Sequence, residues 1–176
     1  MSVRIASVFI ALISLCGCIT EPVPADNEER IGVGDLLPEF RITLSDGSDI
    51  TTEDLNGRVS LIIFFNTGCV DCQRELPVIQ SIFEAEGEDI NCICIAREEG
   101  ESQIASYWQS NGLSMPYSAQ PDRNVYNLFA TVGIPRTFIA DSDMRVIAAY
   151  GPETSLSFAE LLSILDSDKS YRQISD

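Results

Sequence analysis

Histidine is absent from the 176 residues, and that one gap removes several chemistries. Ser-His-Asp and Cys-His catalysis, histidine-ligated zinc and histidine-ligated copper all need an imidazole. Positive charge is scarce as well: 11 lysines and arginines stand against 27 aspartates and glutamates, for a formal charge of −16. Nucleic acid and anionic lipid would repel such a chain, so no nucleic-acid partner is expected. No G-x-x-x-x-G-K or G-x-G-x-x-G run is present to cradle a phosphate. A long hydrophobic run is missing too. Residues 5–15 form a mainly apolar stretch of eleven positions, interrupted by Ser7 and Ser14, whereas a spanning helix needs about 20. The length suits one domain with a full core and is short for two.

The leading segment reads as an address rather than as structure. Arg4 is a minimal positive region and residues 5–15 suit the apolar core of a signal peptide. The following Leu15-Cys16-Gly17-Cys18 resembles a bacterial lipobox. Cys18 fits as the lipidated residue because small Gly17 precedes it, and an ordinary secretory signal is the alternative. Residues 1–17 are therefore expected to be a lipoprotein signal peptide. Residues 18–30, with two prolines and no apolar period, are expected to be a flexible tether. Such a chain would be anchored to a membrane by acyl chains rather than span it, facing the periplasm of a bacterial envelope. Losing Cys16 and acylating Cys18 leaves Cys69, Cys72, Cys92 and Cys94, in an oxidising compartment that favours disulfide or redox roles.

Over the remainder, residues 40–44 alternate apolar and polar, and Ser45-Asp46-Gly47-Ser48 supplies turn chemistry before Ile50, a hairpin pattern. Residues 51–55 carry the cap-then-acid arrangement of a short helical turn. Residues 59–65 and 90–96 read as strands, the first apolar enough to be buried on both faces. Helices are expected from the cysteines to Gly87, over 102–110, over 126–130 and over about 157–165. Residues 137–140 and 146–150 form two further strands around Asp141-Ser142-Asp143. This order predicts an α/β fold with a mixed central sheet covered by helices on both faces, spanning residues 31–168, with 169–176 as a tail.

The chemistry concentrates at Cys69-Val70-Asp71-Cys72. Only a thiolate is a nucleophile, and a helix N-terminus offers free N–H groups and a positive dipole end to that anion. Cysteines three apart across a first helical turn can reach one another, the outer attacking a partner disulfide and the inner resolving the product. Zinc would require Cys92 and Cys94 or carboxylates as further ligands, so no metal is expected. Unreactive thiols or a purely structural bridge remain the plain alternatives.

Cys69-Val70-Asp71-Cys72 with Glu75 and Pro77, the hairpin turn at Asp46-Gly47, and Gly133-Ile134-Pro135-Arg136-Thr137-Phe138 together resemble the thioredoxin-like superfamily. More narrowly they resemble its TlpA/ResA-like envelope thiol–disulfide oxidoreductases. The resemblance implies a thioredoxin-like fold with an N-terminal β-hairpin extension. It implies Cys69 as attacking thiol, Cys72 as resolving thiol and Pro135 as the cis-proline facing them. It also implies that Pro77 kinks the active-site helix and that Glu75 tunes thiol pKa and proton transfer, although a glutamate there could simply be exposed. No cofactor is implied beyond a redox-active Cys69–Cys72 disulfide. The implied partners are disulfide-bearing envelope proteins and a membrane electron donor of the DsbD/CcdA type, with the chain acting as reductant. A redox-inactive binding module and a peroxiredoxin-like thiol peroxidase are the competing functions.

Three departures stand out. Gly68 occupies the place where the family usually has tryptophan, and Ile63 replaces the buried aspartate of thioredoxin. The pair Val70-Asp71 lacks the usual proline, and Asp71 is expected to oppose a thiolate and make the couple more reducing. Cys92 and Cys94 point to one face of a strand and are expected to be core thiols, since an i, i+2 bridge has poor geometry. Tyr107, Trp108, Tyr126 and Phe129 are expected to pack helices rather than bind a ligand.

Overall fold

The computed structural model of the protein describes residues 30–154 and 156–175. Cys18, the signal peptide and most of the tether lie outside the described residues. Two short strands, β1 (Arg41–Thr43) and β2 (Asp49–Thr51), pair antiparallel. Asp46 forms their turn by accepting from the Ser48 N–H and hydroxyl, the local bonding that suits aspartate to turns. A single 3₁₀ turn, Thr52–Leu55, follows. It is entered through Thr51, whose N–H and hydroxyl both donate to Asp54.

The central sheet has five strands in the order β5-β4-β3-β6-β7. They are β3 (Val59–Phe65), β4 (Ile90–Ala96), β5 (Tyr117–Ser118), β6 (Arg136–Ala140) and β7 (Val146–Tyr150). Strands β3, β4 and β5 run parallel, and β6 and β7 return antiparallel. Every residue of β3 is buried, as its run, apolar except for Ser60, suits a strand with both faces covered. Alternate residues serve different layers. Leu61, Ile63 and Phe65 join Cys92, Cys94 and the helices α1 (Val70–Glu86), α2 (Glu101–Asn111) and α4 (Phe158–Ser175). Ile62 and Phe64 join Phe40 and Ile42 of the hairpin, Ile93, Ile95, and Tyr126 and Phe129 of the short α3 (Tyr126–Phe129). The hairpin is thus a lid on the second face, which explains why an extension of so few residues is ordered.

Two expectations need correction. The last helix does not stop near 165 but continues to Ser175, so residues read as a tail belong to it. Leu161 and Leu165 are its fully buried residues among those whose burial is described, and they are where the apolar period ended. No glycine or proline interrupts the chain beyond that point, and an existing helix adds residues at little cost. Strand β5 was not anticipated either. At two residues it leaves no periodic signal, and its place is set by pairing to Cys94 and Ile95. Among the described residues, no helix is long and apolar enough to cross a membrane.

Candidate active site

The parallel strand β3 delivers the chain at its C-terminal end to Asn66-Thr67-Gly68, and α1 starts at once. Cys69 is the N-cap of α1, with extended backbone. Its sulfur accepts the Cys72 N–H at 3.3 Å, a donor that an anionic sulfur holds more strongly than a neutral one. Cys69 is half-buried and Cys72 fully buried, the asymmetry that separates an attacking from a resolving thiol. Both are present as thiols.

The loop opposite is built by Gly133, Ile134 and Pro135. The Ile134–Pro135 bond is cis, and the Cys69 thiol donates to the Ile134 carbonyl at 3.6 Å. The two landmarks, 65 residues apart, therefore meet. Gly133 has a φ of +80°, a conformation that side chains disfavour. A Cβ there would also lie 2.7 Å from Pro152 Cγ. The Tyr126 hydroxyl donates to the Gly133 carbonyl at 2.6 Å, which ties this loop to α3.

Glu75 lies below the pair, 8% exposed, with its Oε1 accepting the Thr137 hydroxyl at 2.6 Å. Thr137 is the register partner of Ile63 across β3 and β6. The carboxyl thus sits over the strand position where thioredoxin carries its aspartate. Burial raises the Glu75 pKa above the usual carboxylate range, against the opposing pull of the Thr137 hydroxyl. Burial likewise pushes the Cys72 thiol far above its ordinary value, followed by its contact with Cys69 and, more weakly, the charge of Glu75. Cys72 is consequently held as the thiol, and the buried Glu75 carboxyl is close enough for its charge to act on it.

Val70 and Asp71 both face solvent. Asp71 Oδ1 receives Arg74 Nη1 at 2.7 Å, a pairing that offsets the negative charge expected to act on Cys69. Pro77 lies inside α1 without ending it. Cys92 and Cys94 are buried in the α1-side core, and the Cys94 thiol is pushed well up by its hydrogen bond to Cys92 and by burial. Among the described residues, no cluster of three metal-ligating side chains occurs. Trp108 packs on Phe65 and Tyr117 and donates to the Met115 carbonyl, a core role. Gly68 also has a local cause: its N–H donates to Asn66 Oδ1 at 2.9 Å, and a Cβ would approach that oxygen to 3.1 Å.

Sequence reasoning missed Glu99. Its carboxylate oxygens accept the Thr67 N–H and the Thr67 hydroxyl, although the acidic run Glu98-Glu99-Gly100-Glu101 has the composition of a solvated loop.

The chain resembles known proteins at low identity. The thiol-disulfide oxidoreductase ResA of Bacillus thuringiensis subsp. konkukian is 23% identical over 158 residues, covering 87% of this chain and 91% of that one. The protein of the same name from Bacillus subtilis strain 168 is 28% identical over 125 residues, 68% of each chain. Among solved structures, a thiol:disulfide interchange protein of the thioredoxin family from Chlorobium tepidum superposes with a TM-score of 0.67. It is 20% identical and covers 77% of this chain and 96% of its own. Residues 33–149 match the AhpC/TSA family model, and the chain belongs to this thioredoxin-like family.

Proposed function

We propose that this thiol–disulfide oxidoreductase acts as a reductant in a bacterial cell envelope, held to a membrane through lipid on Cys18. The observation that carries the redox chemistry is the half-buried Cys69 sulfur, at the start of α1 and against the carbonyl preceding Pro135, with Cys72 sealed beneath it. In the forward direction the Cys69 thiolate attacks one sulfur of a client disulfide. A Cys69–client bond forms and the second client sulfur leaves as thiolate. Cys72 then gives its proton to the Glu75 carboxylate and attacks the Cys69 sulfur. The client's other thiolate departs, leaving a Cys69–Cys72 disulfide. Two electrons pass to the client and must be restored by a membrane donor of the DsbD/CcdA type. Disulfide-bearing envelope proteins are the clients.

The test is the full chain expressed in a bacterial envelope, fractionated and trapped in acid before alkylation. Wild type is expected in the membrane fraction with Cys69 and Cys72 mainly as thiols, and Cys18→Ala is expected in the soluble fraction. A steady-state Cys69–Cys72 disulfide in a strain with an intact donor would identify an oxidant instead.

Val70 and Asp71 are assigned to tuning of the couple. With Arg74 beside it and solvent around it, Asp71 exerts a screened effect. Redox titration of Asp71→Asn is expected to give a slightly less reducing potential, and no change would remove Asp71 from this role.

A further inference from the structure

The nucleophile is reached through three residues whose polar groups are nearly all committed. Asn66 Oδ1 accepts the Gly68 N–H, Asn66 Nδ2 donates to the Arg97 carbonyl at 3.2 Å, and the Asn66 carbonyl accepts the Cys69 N–H at 3.0 Å. The Thr67 carbonyl accepts Gln73 Nε2 of α1 at 2.7 Å. The remaining donors of Thr67, its N–H and its hydroxyl, both go to Glu99, the N–H to Oε2 at 2.7 Å and the hydroxyl to Oε1.

Glu99 is suited to this task. Its side chain is buried at 9% exposure, and its own N–H donates to the Gln120 carbonyl at 2.9 Å, so its backbone is fixed from the other side. The neighbouring arginines Arg97 and Arg123 direct their ion pairs to Glu98. Both oxygens of Glu99 act as acceptors. Gly68, the only residue between Thr67 and Cys69, has no side chain with which to anchor itself. Thr67 is therefore the last side-chain-anchored position before the nucleophile, and Glu99 is its anchor.

We propose that Glu99 is a positioning residue for the nucleophile: by clamping Thr67 it fixes where Cys69 Sγ sits between the Cys72 N–H and the Ile134 carbonyl. The inference deepens the oxidoreductase reading and rests on it. In-line attack on a disulfide is sensitive to such placement, since a displacement of about 1 Å can cost on the order of 100-fold in rate. The same clamp uses the Thr67 hydroxyl as a donor to Glu99, so it is not directed at the Cys69 sulfur.

The test measures kcat and KM for reduction of a disulfide-bonded fluorogenic peptide, alongside the rate of Cys69 alkylation by iodoacetamide in the reduced protein. Glu99→Ala is expected to lower kcat at least fivefold with KM within twofold of wild type, and to slow alkylation. Thr67→Ser, which keeps both donors, is expected to match wild type, whereas Thr67→Val should lose part of kcat. The Glu99→Ala/Thr67→Val pair should be no slower than Glu99→Ala, because both substitutions break one interaction. A folded Glu99→Ala with kcat within twofold of wild type, or a double variant with additive losses, overturns the proposal. Should Glu99→Ala fail to fold, Glu99→Gln and Thr67→Val decide it: non-additive losses support the clamp, and additive or absent losses overturn it. A wild type that reduces no disulfide while Cys69 still alkylates would refute the oxidoreductase reading, and the alkylation rates alone would then judge the clamp.

Discussion

Cys69→Ser is expected to bring disulfide reduction down by orders of magnitude, to the uncatalysed rate, while Cys72→Ser accumulates the protein covalently joined to its client. The two outcomes differ because the two sulfurs differ in place. Cys69 is the half-buried N-cap of α1, and Cys72, one turn on, is fully buried. An incoming disulfide can meet only the first. Removing the nucleophile of a covalent mechanism leaves little to catalyse the remainder. Serine at 72 spares the first exchange and abolishes the second, so the mixed disulfide waits for an external thiol. Burial also sets a control. In the reduced native protein, iodoacetamide should modify Cys69 rapidly among the four described cysteines, with Cys72, Cys92 and Cys94 protected until denaturation. The readout is the yield of mixed disulfide on non-reducing gels, against insulin reduction by the same samples. Peroxide consumption by wild type at a rate exceeding disulfide reduction would instead identify a thiol peroxidase. Full activity of Cys69→Ser would remove the proposed mechanism altogether.

Much of the frame is legible in the sequence. Residues 59–65 suited a strand covered on both sides, and the hairpin, the helix after the cysteines and the returning strands followed from period and turn residues. Gly133 and Pro135 were readable through the family resemblance, and the structure gives their physical reasons: Gly133 adopts a φ of +80° that side chains disfavour, and Pro135 follows a cis bond. What escaped depended on partners far away in sequence. Glu99 reaches Thr67 across 32 residues, and nothing in an acidic loop marks which carboxylate turns inward. Glu75 was recognisable as a family position, yet its helical spacing alone allowed an exposed side chain. Only the approach of Thr137, 62 residues away, shows the carboxyl to be interior. Gly68 is a related case. The expectation of an aromatic there came from the resemblance, whereas the local reason for glycine is the Asn66 side chain folded over it. Such polar placements are what an apolar period cannot encode.

The second large effect concerns that interior carboxyl and can be read in two independent measurements. Glu75→Gln is expected to prolong the mixed disulfide about 100-fold or more, the lower end of what a positioned base contributes. Burial holds the Cys72 thiol protonated, and glutamine keeps the acceptor for Thr137 while losing the ability to take a proton. Stability should move separately. The folded Glu75 pKa is raised above its unfolded value, so between the two values the folded state binds more protons than the unfolded one. Its contribution therefore weakens the fold as pH rises through that window, and the penalty is complete above the folded pKa. Below the unfolded pKa both states are protonated and the penalty vanishes. The difference in thermal midpoint, Glu75→Gln minus wild type, should accordingly become more positive from about pH 4 toward neutrality, the window opening near the usual carboxylate value. A difference independent of pH would show that Glu75 is ionised alike in both states, and a mixed disulfide resolved at the wild-type rate would deny it the proton. Both together would leave Glu75 as packing alone, whereas a slower resolution with the rising difference ties one buried charge to cost and function at once.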